Sequence, residues 1–172
     1  MTDTVEVAGT DDDYAAFEAL IREYEQWLYR RYTAEWELMD GVLAHQALDA
    51  ELADLRGRYG PPEGRTLLAR RDGAVTGGGA YHDLHDGSCE MKRLFVPERF
   101  QGHGTGRALC AAIVEAATAD GYALMRLDAG FRNTEAIAMY ESLGFRACDP
   151  YHEYPESLAV HLRFMERPLA AT

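Results

Sequence analysis

Residues 89–120 read CEMKRLFVPERFQGHGTGRALCAAIVEAATAD, and this stretch decides the fold. Met91, Leu94, Phe95 and Val96 form a short apolar run of strand type, which Pro97 ends because proline has no amide to give to a sheet ladder. Gly102, Gly104 and Gly106 then alternate with His103 and Thr105, so the backbone there can approach a ligand closely. After Arg107, the residues Leu109, Ala112, Ile113 and Ala116 recur at helical spacing, and Gly121 follows as a stop. The order is strand, glycine-rich turn, helix. A helix that starts behind glycines offers unpaired amides and the positive end of its macrodipole, which suits a phosphate. Between Met91 and Leu109, Lys92, Arg93, Arg99 and Arg107 stand against the single carboxylate of Glu98, a basic island that points to an anionic ligand.

Two phosphate-binding patterns fail here. The P-loop needs Lys-Ser/Thr after its last glycine, where this chain has Arg107 and Ala108. The dinucleotide fingerprint needs a glycine where Arg107 stands and wants its glycines directly after the strand. The run Gln101-Gly102-His103-Gly104-Thr105-Gly106 instead resembles the Q/R-x-x-G-x-G/A pyrophosphate loop of the GNAT superfamily of N-acetyltransferases. The resemblance extends from about Arg65 to Arg146, with a matching strand before the loop, a helix after it and a further element at Asn133 to Phe145. It implies an α/β (α+β) fold: a mixed, mostly antiparallel sheet with a central parallel βαβ pair and flanking helices.

The rest of the chain fits that expectation. Asp11 to Asp13 can cap a helix carrying Phe17, Leu20, Ile21, Tyr24 and Leu28, and an aromatic segment of Trp27, Tyr29, Tyr32 and Trp36 follows, either packing in the core or bordering an acceptor pocket. Leu48, Leu52 and Leu55 predict a second helix, ended by Gly57, Gly60 and Pro61-Pro62. Thr66 to Ala69 and Ala74 to Tyr81 read as strands joined at Asp72-Gly73, with Gly77 to Gly79 marking either a bulge or room for a ligand. Asp86-Gly87 turns the chain into the central strand. Ala123 to Leu127 predicts a strand parallel to it, Asn133 a helix cap before Ala136, Tyr140 and Leu143, and Ala159 to Met165 a closing strand.

A length of 172 residues makes one domain, residues 1–172, the default. The net charge of −12 argues against nucleic acid and agrees with an amine substrate or with simple solubility. No apolar leader and no membrane-length run is visible, so a cytoplasmic protein without a membrane partner is expected. Cys89, Cys110 and Cys148 are read as reduced thiols, and His82 and His85 with Asp83 and Asp86 are too weakly spaced to argue for a metal.

The resemblance also implies chemistry: transfer of an acetyl group from acetyl-CoA to a primary amine of a small molecule or amino acid, by direct attack in a ternary complex. Backbone groups of Leu94, Phe95 and Val96 would hold the pantetheine arm, and the loop from Gln101 through Gly102, His103, Gly104, Thr105 and Gly106 to Arg107 the pyrophosphate. Asn133 would either touch the arm or only cap its helix. Tyr140 is the expected acid for the departing thiolate, and packing on the core is its structural alternative. Glu90 is the expected base if burial raises its pKa, or else the partner of Lys92 or Arg93. A non-catalytic acetyl-CoA-binding sensor or assembly module of the same fold is the alternative. The final strand or the tail around Tyr151 and Tyr154 offers a surface for a homodimer.

Overall fold

The computed structural model describes residues 3–169. Strands β1 (Thr4–Val7), β2 (Gly64–Arg71), β3 (Ala74–Asp83) and β4 (Ser88–Phe95) lie side by side, each antiparallel to the next. β5 (Leu124–Gly130) runs parallel to β4, and the two-residue β6 (Arg146–Ala147) and β7 (Leu162–Pro168) complete the order β1-β2-β3-β4-β5-β7-β6. Alternation along the strands builds two cores. Leu68, Ala80, Phe95 and Phe164 face helices α1 (Asp11–Arg31), α2 (Trp36–His45), α3 (Leu48–Ala53) and α4 (Leu55–Tyr59). Leu67, Ala69, Met91, Met125 and Met165 face α5 (Thr105–Ala119) and α6 (Thr134–Ser142).

Gly77, Gly78 and Gly79 let both layers close on β3. A Cβ on Gly78 would come within 3.0 Å of Leu20 and Leu68, and one on Gly79 within 2.8 Å of Ile113. The bulge itself falls on β4: Gly78 pairs with Phe95 and Ala80 with Lys92, so β4 carries one extra residue, and Arg93 absorbs it at φ +59°. The extra residue puts Lys92 and Arg93 on the same side of the sheet and returns Leu94 to the α5 side, where it packs with Met91.

Several expectations need correction. β1 arises in an acidic segment that carried no strand signal, because its partner β2 supplies the ladder. Thr10, not the aspartates, caps α1: its hydroxyl accepts the Asp13 amide at 3.2 Å while the Asp13 carboxylate accepts the Thr10 amide at 2.9 Å. The helix expected around Leu48 to Leu55 breaks at Asp54 (φ −147°), whose side chain caps the next one, α4, through the Gly57 amide. Residues Glu156–Ala159 form a helical turn, α7, so the closing strand begins only at Leu162. That strand lies between β5 and β6 and is not an edge. The tail tyrosines are likewise occupied within the chain: Tyr151 donates to Glu90 at 2.9 Å, and both rings pack on Phe164.

Candidate active site

The parallel pairing of β4 and β5 runs only from Ser88–Leu124 to Glu90–Arg126. Beyond that point the strands part, and a cavity of about 470 Å³ opens between them. One half is lined by Leu94, Phe95 and Val96 of β4, the loop residues Gln101, Gly102 and Gly104, the start of α5 at Thr105, Gly106 and Arg107, and Asn133 and Tyr140 across the gap. The other half lies beneath α1 and α2, between Trp27, Leu28, Met39, Val42 and Leu43, and its floor is polar: Lys92, Arg93, Gln46 and Asp128. Of the expected site residues, His103 and Glu90 do not line this cavity.

Gly104 stands at the N-cap of α5 with φ +81°, and Gly102 has φ +83°, so the loop uses a backbone conformation that side-chain-bearing residues rarely adopt. No side chain caps α5, which leaves its first amides turned to the cavity end with the helix dipole behind them. The neighbouring side chains brace the turn. Gln101 donates its amide to the Val96 carbonyl at 2.9 Å, and the Thr105 hydroxyl donates to Asp3. Arg107 is held by the Ser142 hydroxyl at 2.7 Å.

The basic island is not the free anion trap that its sequence suggested. Arg99 pairs with Glu23, Arg93 is bidentate to Glu51 at 2.8 Å and 2.8 Å, and Lys92 bridges Glu90 and Asp128 at 3.1 Å each. The carboxylate partners come from distant parts of the chain, which no local window could reveal. What remains for a phosphate is Arg107 and the backbone.

Tyr140 is 7% exposed at the cavity wall, its ring edge-on to Phe145. Burial, then the neighbouring Cys110, Tyr24 and Asp128, hold its hydroxyl well above the ordinary phenol value, so it stays protonated. Asn133 occupies the N-cap position of α6 but makes no cap bond; its oxygen accepts the Tyr32 hydroxyl at 3.1 Å, which ties α6 to the end of α1. Among the four clustered aromatics, Trp27 alone lines the cavity: Tyr32 serves Asn133, Tyr29 donates to Asp40 at 3.0 Å, and Trp36 is 54% exposed.

At Glu90 the structure shows the second of the two expected readings, the ion pair with Lys92. Its side chain is fully buried, and one oxygen accepts from Tyr151 at 2.9 Å and meets His152 at 2.9 Å and Lys92 at 3.1 Å, while the other meets His82 at 2.8 Å. Burial alone would raise its pKa, but the Lys92 charge and the hydrogen bonds from His152 and His82 overcome it, so the carboxyl is held well below the usual range. The expected raised base is thus corrected to a saturated anion that anchors Lys92 and the tail. Asp128 was missed because the strand was read as ending at Leu127; its only signal was a charged residue next in the apolar alternation of Leu124 to Ala129.

Sequence and fold both resemble those of known acetyltransferases. The model of the acetyltransferase (GNAT) family matches residues 18–145. The chain is 37% identical to an uncharacterised N-acetyltransferase of Schizosaccharomyces pombe, over 70% of this chain and 76% of that one. It is 34% identical to an IAA acetyltransferase of Azospirillum brasilense, over 87% and 88%. In fold it matches the PaiA N-acetyltransferase of Thermoplasma acidophilum, solved with coenzyme A, at a TM-score of 0.70 and 16% identity, covering 96% of this chain and 99% of that one. With its split parallel pair and glycine-led α5 in place, the chain belongs to the GNAT family of acyl-CoA-dependent N-acetyltransferases.

Proposed function

We propose that the cleft transfers an acetyl group from acetyl-CoA to the primary amine of a small molecule or amino acid, by direct attack in a ternary complex. The observation that carries this reading is the continuity of the cavity: one space joins the amide-rich start of α5 to the apolar chamber under α1 and α2, through the gap where β4 and β5 part. Both substrates can therefore meet without passing through solvent. None of Cys89, Cys110 and Cys148 lines that space, and burial pushes the Cys89 and Cys110 thiols up to about 12, which favours attack by the amine itself over an acyl-enzyme.

In this reading the amides of Thr105 to Arg107 and the loop at Gly102 and Gly104 receive the pyrophosphate, and the backbone of Leu94 to Val96 receives the pantetheine arm as an added strand. The amine nitrogen attacks the thioester carbonyl, the carbon–sulfur bond breaks as the tetrahedral adduct collapses, the thiolate takes the proton of the Tyr140 hydroxyl, and the proton that the adduct nitrogen sheds returns through water to the Tyr140 phenolate. Glu90 acts at one remove, fixing Lys92 at the cavity floor.

The test is release of free CoA, followed by thiol detection, across a panel of amines, beside calorimetry of acetyl-CoA binding. Amine-dependent release supports the reading. Tight binding without release on a broad panel would replace it with a sensor of the same fold.

A further inference from the structure

The acceptor half of the cavity combines apolar walls with a polar floor, and the floor is costly. Lys92 and Arg93 are each 8% exposed, and taking such charges out of water is unfavourable unless they are fully paired. Their pairing is incomplete. A guanidinium carries five N–H donors, and Arg93 uses three: Nε and Nη2 to Glu51, and Nη1 to Gln46 at 3.0 Å. An ammonium carries three, and Lys92 uses two, on Glu90 and Asp128. Both residues line the cavity, as does Asp128, whose Oδ2 accepts from Lys92 at 3.1 Å and from Tyr154 at 3.4 Å while its Oδ1 meets no donor among the described residues. The β4 bulge at Arg93 brings the two cations together, since regular alternation would have sent one of them to the opposite face. Above the floor, Trp27, Met39 and Leu43 offer only carbon surface and an indole edge.

Resting on the acetyl-transfer reading above, we propose that the acceptor is an α-amino acid with an apolar side chain, bound as a zwitterion. Its carboxylate takes the unused donors of Lys92 and Arg93, its amino group lies against Asp128, and its side chain packs on Trp27, Met39 and Leu43. Asp128 accepts the ammonium proton: an N–H bond breaks, an O–H bond forms on the carboxylate, and the freed lone pair attacks the thioester. As the adduct collapses, its nitrogen sheds a second proton through water to the Tyr140 phenolate, and the proton on Asp128 passes to water when the acetylated product leaves.

The experiment compares L-phenylalanine with L-phenylalaninamide and 2-phenylethylamine, and with L-aspartate and L-lysine. Each is measured twice: by calorimetry on the CoA-loaded protein, and by CoA release from acetyl-CoA. L-phenylalanine should bind and react better than its amide and its decarboxylated amine by roughly 10- to 100-fold, the worth of a charge-assisted hydrogen bond. Asp128→Asn should lower kcat more than it raises KM, and Leu43→Asp should abolish the preference for the apolar side chain while CoA still binds. Equal use of the amide or the amine, or preference for aspartate or lysine, overturns the proposal but leaves acetyl transfer standing. Selective binding of L-phenylalanine without any CoA release would uphold the recognition and sink the transfer reading. If no amino acid binds and no amine reacts, both fall.

Discussion

In the proposed transfer, the departing thiolate depends on a single oxygen, that of Tyr140. The phenol is buried, protonated and at the cavity wall, so Tyr140→Phe removes a proton donor and little else. The expected result is a fall in kcat of about 100-fold, the lower range for a general acid, with acetyl-CoA affinity unchanged by calorimetry. Glu51 and Arg93 make the opposite kind of pair, structural first. Glu51→Gln leaves a buried guanidinium without its counter-charge, and the expected loss of stability is about 3–5 kcal/mol in urea unfolding. Rescue by the companion change Arg93→Met would show that the loss comes from the orphaned charge, since the double variant buries no unpaired ion.

The loop and α5 make a case at the level of the element. Gly104→Glu forces a side chain onto a residue at φ +81° and sets a negative charge where amides await a phosphate. Acetyl-CoA binding by calorimetry should disappear while the far-ultraviolet circular dichroism is retained. This element was legible in the sequence because every signal in it is local: glycines, a proline stop and a helical repeat within residues 89–120. The two hairpins and the parallel return of β5 were legible for the same reason, through Asp72-Gly73, Asp86-Gly87 and an intervening helix. What the sequence hid depends on partners far along the chain. The charge of Arg93 looked like a phosphate ligand until Glu51, from another layer, was found against it. Glu90 looked like a base in an apolar site, yet its environment is set by His152 and Tyr151 from the tail and His82 from β3. Asp128 had meaning only once Lys92 stood opposite.

Over the whole molecule, an acidic chain keeps its interior electrically balanced by matching buried carboxylates to buried cations. Glu90 and Glu51 are both held below the ordinary glutamate value of 4.5, Glu90 by Lys92 and the histidines, Glu51 by Arg93. A carboxyl with a depressed folded pKa stabilises the fold above its unfolded value and loses that contribution as pH falls through the folded one. The unfolding free energy in urea should therefore hold steady above about pH 4.5 from this source and decline steadily below it. A protein with constant stability down to pH 3 would contradict the lowering of both carboxyl groups by their charged partners.

The first strand has a practical consequence. Asp3 is bidentate to Arg71 at 2.9 Å and 3.0 Å and also receives the hydroxyl of Thr105, the opening residue of α5. Asp3, just ahead of β1, is thus stapled to the opening turn of α5 at the cavity end. Asp3→Ala, which keeps the strand and removes the staple, should weaken acetyl-CoA binding by calorimetry more than it lowers the melting temperature.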